Sequence, residues 1–389
     1  MNFLKKVTSI ACILMITNTH HIFPLGIFCG TYSTPGALRP EMLDAHDTHN
    51  NDDIFYAGVY DGHIKPNAAN FIAQNLYINI VNDENFMHSP EIALFNGFIK
   101  THIKYEGQDD GATVGVILVK DEVLYGANAG DVQAVFYNFD GEKLLPNLLS
   151  QIHTVDQELD RLKGLMDDAC SIISTSPRDD HYPSSSQRQL SHRSRSRSIK
   201  AHTTISNSYE KQTSYIPQEL AASPRGVSRI IQYPRIEDDS ITSSPRMKDD
   251  IVRRLTGDGS IKEVMLQSVY LSKSHADGSG ELIKPSRGVC DHRFAPYLIP
   301  DPFICKIHLP KFASAAVLAS KNLWLVMEPE AVGNLVNQFL IEAYEKFQTD
   351  EPSCQVTQYI AQKLVEKAFS IQDVGNQTVT VILFDLDDN

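Results

Sequence analysis

Short runs of β-branched and aromatic residues, bounded by Gly, Asp and Asn, recur at Ile54 to Val59, Ala112 to Val119 and Val123 to Ala129, and each predicts a strand. Between and after them the apolar spacing changes. Asn67 to Val81 and Ser89 to Lys104 carry a helical period, visible in the second as Ile92, Phe95, Ile99 and Ile103. Phe339 to Phe347 and Val356 to Phe369 follow the same rule, and Thr378 to Leu386 returns to a strand pattern. The run from Val123 follows its predecessor after a tight turn at Lys120-Asp121, which makes the two an antiparallel pair. Strands and helices interleave irregularly, so the pattern predicts an α+β fold and not a doubly wound parallel sheet.

The pattern stops after about Ser171. From there to about Ser260 the chain is dominated by Ser, Arg, Asp, Pro and Gln, with Ser191-His192-Arg193-Ser194-Arg195-Ser196-Arg197-Ser198 at its centre. Such a stretch lacks the apolar surface needed to offset its ordering entropy, so 171–260 is expected to be a disordered Ser/Arg-rich insertion. The tract reads either as a solvated linker or as a binding segment for acidic partners or RNA. It contains Ser-Pro-Arg at Ser176, Ser223 and Ser244, where phosphate would sit beside basic side chains. The expected organisation is an N-terminal segment 1–26, a first half-domain 27–170, the insertion 171–260 and a second half-domain 261–389.

The 389 residues are 42% hydrophobic, enough for a substantial core. A formal net charge of −13 argues against a surface that tracks nucleic-acid phosphates, so no specific nucleic-acid partner is expected. Cys12, Cys29, Cys170, Cys290, Cys305 and Cys354 form neither a zinc-type pair nor a disulfide framework. Lys5 and Lys6 precede an apolar run from Val7 to Ile16, the length of a signal-peptide core and too short to span a bilayer; no transmembrane segment is expected. Two readings of 1–26 stand side by side: a signal peptide, implying secretion, or a frayed segment of a cytoplasmic protein.

Four segments, in order, resemble the metal-dependent protein phosphatase 2C family. Gly36-Ala37-Leu38-Arg39-Pro40-Glu41-Met42-Leu43-Asp44 looks like its G-x-R-x-x-M-E-D motif with Leu43 in place of Glu, and Gly58-Val59-Tyr60-Asp61-Gly62-His63 resembles G-V-[FY]-D-G-H. Ala127-Asn128-Ala129-Gly130-Asp131-Val132-Gln133-Ala134 is similar to A-N-x-G-D-S-R-A, and Ser286-Arg287-Gly288-Val289-Cys290-Asp291 to S-R-x-x-G-D. Each motif alone is weak, whereas their ordered succession is specific. The resemblance implies a central β-sandwich of two antiparallel sheets flanked by helices, with a site at one end.

In that family two Mn²⁺ or Mg²⁺ ions hold a water that attacks a phosphoserine or phosphothreonine ester. By resemblance, Asp61 is the bridging metal ligand, the Gly62 carbonyl a second ligand, Asp44 a ligand through water, and Asp131 a ligand of a third ion. His63 is the general acid and Arg39 the phosphate clamp. Other positions depart from the pattern. Ala319-Ser320-Lys321-Asn322-Leu323-Trp324-Leu325-Val326-Met327 resembles A-S-D-G-x-W-D-V-M, with Lys321 and Leu325 replacing Asp. Gln377 stands where the last metal Asp belongs; a one-residue shift puts Asn376 there, and neither is an anion.

Hard divalent cations need hard anionic oxygens. At an effective dielectric of about 20, a lysine roughly 4 Å from such an ion costs on the order of 8 kcal/mol. The second metal site is therefore expected to be lost, with the Lys321 ammonium beside the Asp61 carboxylate in its place. The sequence predicts a pseudophosphatase that binds phosphorylated or regulatory proteins as a scaffold. The alternative is a weakly active metal-dependent phosphatase using Asp61 and Gly62.

Overall fold

The computed structural model describes residues 26–36, 41–51, 53–107, 110–139, 143–165, 246–274, 280–310 and 314–385, all within one compact unit. The N-terminal segment, Arg39 and most of the insertion, with Ser176, Ser223 and Ser244, lie outside the described residues.

Two five-stranded sheets form the centre. The first runs in the order β1 (Gly26–Thr34), β13 (Gln377–Asp385), β12 (Ser314–Ala319), β6 (Gln133–Phe139), β7 (Leu144–Leu148). The second runs β11 (Phe303–His308), β5 (Val123–Ala129), β4 (Ala112–Lys120), β3 (Ile54–Gly62), β2 (Ala45–Asn50). All of these pairings are antiparallel. Strand periodicity divides the side chains between two environments. Phe55, Ala57 and Val59 of β3, Ile117 and Val119 of β4, and Ile382 and Phe384 of β13 meet between the sheets. Their alternates face helices: Tyr56, Tyr60, Val114 and Val116 pack under α1 (Asn67–Val81) and α2 (Pro90–Lys104). Val379 and Val381 pack under α4 (Pro329–Phe347) and α5 (Cys354–Ile371). Both faces of the central strands are thus buried, which is why β4 is apolar at nearly every position.

The β4–β5 turn falls one residue later than its sequence pattern suggests: Asp121 and Glu122 both adopt left-handed φ, 52° and 60°. The fourth helix begins at Pro329, ten residues ahead of the strongly apolar run that marks it, because proline suits a first helical turn and small Ala331 and Gly333 complete its buried face.

The insertion is shorter at its far end than expected. Arg246–Leu255 forms β8, paired along its whole length with β9 (Ile261–Ser274), and β10 (Gly280–Ile283) completes a three-stranded sheet. Residues 246–260 are therefore part of the fold, anchored by Val252 and Leu255 in the core beneath α3 (Lys321–Val326) and its neighbours. Among the described residues no helix is long and apolar enough to cross a membrane.

Candidate functional site

One end of the sandwich opens into a cavity of about 690 Å³. The end of β3 brings Asp61, Gly62 and His63 to it, the start of β4 brings Thr113, and the turn after β5 brings Asp131. Lys321, Asn322 and Leu325 enter on α3, and Asn376 from the loop before β13. Leu266, Tyr270 and Leu282 of the three-stranded sheet make an apolar wall.

The β12–α3 junction is pinned to β13, because the Ser320 N–H donates to the Thr378 carbonyl (3.0 Å) and the Thr378 N–H to Ser320 Oγ (3.0 Å). This fixes the root of Lys321. Its ammonium lies 3.0 Å from Asp131 Oδ2, so the ion pair is with Asp131 and not with Asp61 as expected. Asp61 feels that cation at longer range. Burial drives its carboxyl well above the usual range, as do the charges of Asp44 and Asp131, and Lys321 and His63 only partly oppose this. Burial also acts on Asp131, but there the Lys321 contact prevails and holds the carboxyl low. Lys321, despite its own burial, is held charged by Asp131 and then Asp61.

Of the other expected residues, Gly62 lines the cavity, and glycine is required because the Leu43 carbonyl oxygen stands 2.3 Å from where a Cβ would project. Leu43 itself is buried and Asp44 turns inward, accepting from Thr378 Oγ1 at 2.9 Å, so neither side chain is on the cavity wall. Gln377 is fully buried in β13 and also off the wall; Asn376 occupies the cavity position, its Nδ2 donating to the Glu41 carbonyl at 3.0 Å. The start of β13 at Gln377, paired with Thr34 of β1, decides between these neighbours, which the sequence left open. Trp324 is a core residue whose Nε1 donates to the Ala319 carbonyl. Among the described residues no three His, Cys, Asp or Glu side chains gather as a metal-binding group.

Sequence reasoning missed the partner of His63. Its Nδ1 lies 2.9 Å from Asp291 Oδ2, and the Arg293 guanidinium grips the same carboxylate, Nε to Oδ1 at 3.1 Å and Nη2 to Oδ2 at 3.2 Å. Burial would raise the Asp291 carboxyl, yet the His63 hydrogen bond and the Arg293 guanidinium hold it below its ordinary value. Asp291 sits in a segment quoted for its resemblance, but nothing in a separation of 228 residues reveals the contact. The Ser286 and Arg287 of that segment are structural. Both bind Glu158, Ser286 Oγ at 2.6 Å and Arg287 Nε at 2.8 Å, together with Arg161 Nη2 at 2.9 Å.

The family model for protein phosphatase 2C matches residues 36–166 and 258–376, more than half of the chain. The chain belongs to the protein phosphatase 2C family. It is 29% identical over 153 residues to the probable protein phosphatase 2C 55 of Oryza sativa subsp. japonica, covering 36% of this chain and 39% of that one. It is 28% identical over 158 residues to the integrin-linked kinase-associated serine/threonine phosphatase 2C of Mus musculus, covering 32% and 39%. The matches thus span about two fifths of these relatives' length. Among solved structures, the serine-threonine phosphatase 2C from Toxoplasma gondii superposes with a TM-score of 0.54 at 11% identity, over 94% of this chain and 98% of that one. A C. elegans sex determining protein gives 0.52 at 13%, over 97% and 70%. At these identities the likeness shows the fold, a two-sheet sandwich with flanking helices. Members of the family are generally Mn- or Mg-dependent phosphatases acting on phosphorylated proteins.

Proposed function

We propose that this protein phosphatase 2C-type domain recognises a phosphorylated protein without hydrolysing it by the two-metal route. The observation that carries the reading is the Lys321–Asp131 ion pair inside the cavity that holds Asp61 and His63. An ammonium beside these carboxylates supplies the neutralising charge a divalent ion would otherwise provide, and it repels such an ion. The remaining donors do not fit a pair of divalent cations: Asn376 and Leu325 offer no anion, and Asp131 is already paired with Lys321. No step is therefore routed through metal.

What remains suits a phosphate monoester. Lys321, His63, Asn322 and Gly62 line the cavity together with Leu266, Tyr270 and Leu282, whose apolar surface can take the flanking peptide. Arg39 is expected to add a bidentate anion contact.

A second reading, weak phosphatase activity, is favoured by the survival of Asp61, Gly62 and His63 in one cavity. Titration of the full chain with a phosphoserine peptide, alongside p-nitrophenyl phosphate hydrolysis in excess Mn²⁺, separates the two. Phosphate-dependent binding with turnover at the buffer rate is expected; turnover above it that Asp61→Asn abolishes would overturn the proposal.

A further inference from the structure

The carboxylate behind His63 is built with more precision than burying a lone acid requires. Asp291 is fully buried and Arg293 nearly so. Val289, two residues earlier, exchanges two backbone hydrogen bonds with Ala112 on β4, at 2.8 and 3.0 Å. The intervening Cys290 adopts a φ of 67° and donates its N–H to His102 Nδ1 at 3.0 Å, which turns Asp291 toward β3. From the other side, Gly111 accepts the His63 N–H at 2.9 Å, and a Cβ at residue 111 would come within 2.3 Å of Asp291 Cβ. Glycine there lets the acid and the histidine share one space. Backbone contacts from two strands thus converge on a single relationship between an imidazole and a carboxylate.

We propose that Asp291, clamped by Arg293, is a positioning residue for His63: it accepts the hydrogen bond from Nδ1–H and so makes Nε2 the nitrogen that meets the phosphate of a bound phosphoprotein. The proposal rests on the reading of the cavity as a phosphate-binding site. A carboxylate accepts only, so the nitrogen facing it must carry hydrogen, and the imidazole ring cannot rotate without breaking that bond. Arg293 in turn fills the carboxylate's other lone pairs, preventing Asp291 from rotating away.

The test uses nitrogen spectra of the histidine side chains in the full chain, with the His63 signal identified by its loss in His63→Gln. Protonation at Nδ1 is expected in the wild type, and a neutral Nε2–H tautomer would overturn the proposal. Phosphoserine-peptide affinity is then compared across His63→Gln, the double change Asp291→Asn with Arg293→Gln, and the triple combination. Replacing both buried charges together avoids stranding Arg293 should Asp291→Asn alone not fold. His63→Gln and the double change should each weaken binding roughly tenfold, with no further loss in the triple. Additive losses, or an unaffected double change, would overturn it. Absence of any peptide binding by the wild type would overturn both the site reading and the phosphate-directed role, while the spectrum would still report whether His63 carries its hydrogen on the Nδ1 that faces Asp291.

Discussion

Lys321 Nζ stands 3.0 Å from Asp131 Oδ2 at the mouth of the sandwich. The relationship carries both a stability and a functional consequence, because Asp131 is almost wholly buried while Lys321 is 28% exposed on its side chain. Partial exposure of the lysine screens the pair, so its net contribution is smaller than that of a dry ion pair.

Lys321→Met and Asp131→Asn should each destabilise by about 1 to 3 kcal/mol, since each leaves one charge without its counterpart, whereas the double change should lie close to wild type. Urea midpoints for the four proteins check this. A double variant as unstable as the sum of the singles would show that the two side chains act independently.

Restoring anions on the cavity wall should create affinity for a hard cation. Lys321→Asp combined with Asn376→Asp should bind Mn²⁺ at least roughly tenfold more tightly than the wild type in calorimetric titration. Gln377→Asp in place of Asn376→Asp should instead mainly destabilise, because residue 377 is fully buried within β13. Neither amide atom of Gln377 has a hydrogen-bond partner among the described residues, so Gln377→Met should stabilise by about 1 kcal/mol.

Cys290 occupies a left-handed conformation that favours glycine. In an ordinary element Gly is less stable than Ala; here the order should reverse, Cys290→Gly exceeding Cys290→Ala by about 1 kcal/mol in thermal or urea unfolding. The buried thiol's packing is lost in both, which makes their difference a measure of the backbone alone.

Acid should weaken the fold in two stages. Burial lowers the His102 pKa to about 4, with His292 adding to the effect, and burial likewise lowers His153 to about 4. The unfolded chain takes up these protons near pH 6.5, so stability present above that pH is lost as pH falls toward 4, by about 1.4 kcal/mol per unit for each group. Glu158 resists burial through its hydrogen bonds to Arg287 and Ser286 and lies at about 2. Its contribution is intact above about pH 4.5 and lost between there and 2. Urea midpoints from pH 7 to 3 should show His102→Gln flattening the upper slope and Glu158→Gln the lower.

The apolar runs of β3, β4 and β5 and the helical character of α1 and α2 were legible in the chain itself, because strands buried on both faces read as near-continuous apolar runs and a packed helix repeats its apolar positions; the face that α2 buries, Ala93, Leu94, Gly97, Phe98 and Thr101, lies beside the stripe of Ile92, Phe95, Ile99 and Ile103 and not on it. The ordered motifs around Asp61, Asp131 and Asp291 identified the family for the same reason: tight turns and close backbone approaches restrict which residue types can follow one another. The replacement of an acid by Lys321 was equally visible, since formal charge is a property of the residue.

Partnership was not. The chain left open whether Asn376 or Gln377 meets the cavity, and only the fold decided it: Gln377 begins β13 paired with Thr34 of β1 and is buried, while Asn376 in the preceding loop lines the cavity. It suggested Asp61 as the companion of Lys321, yet the start of α3 directs the ammonium to Asp131. It showed Ser and Arg dominating up to residue 260, where tertiary packing recruits residues 246–255 as a strand, with Val252 and Leu255 buried in the core. The contact of His63 with Asp291 joins residues 228 positions apart. Such contacts depend on where separate strands end in space, which the pattern along one chain does not encode locally and only the closed sandwich determines.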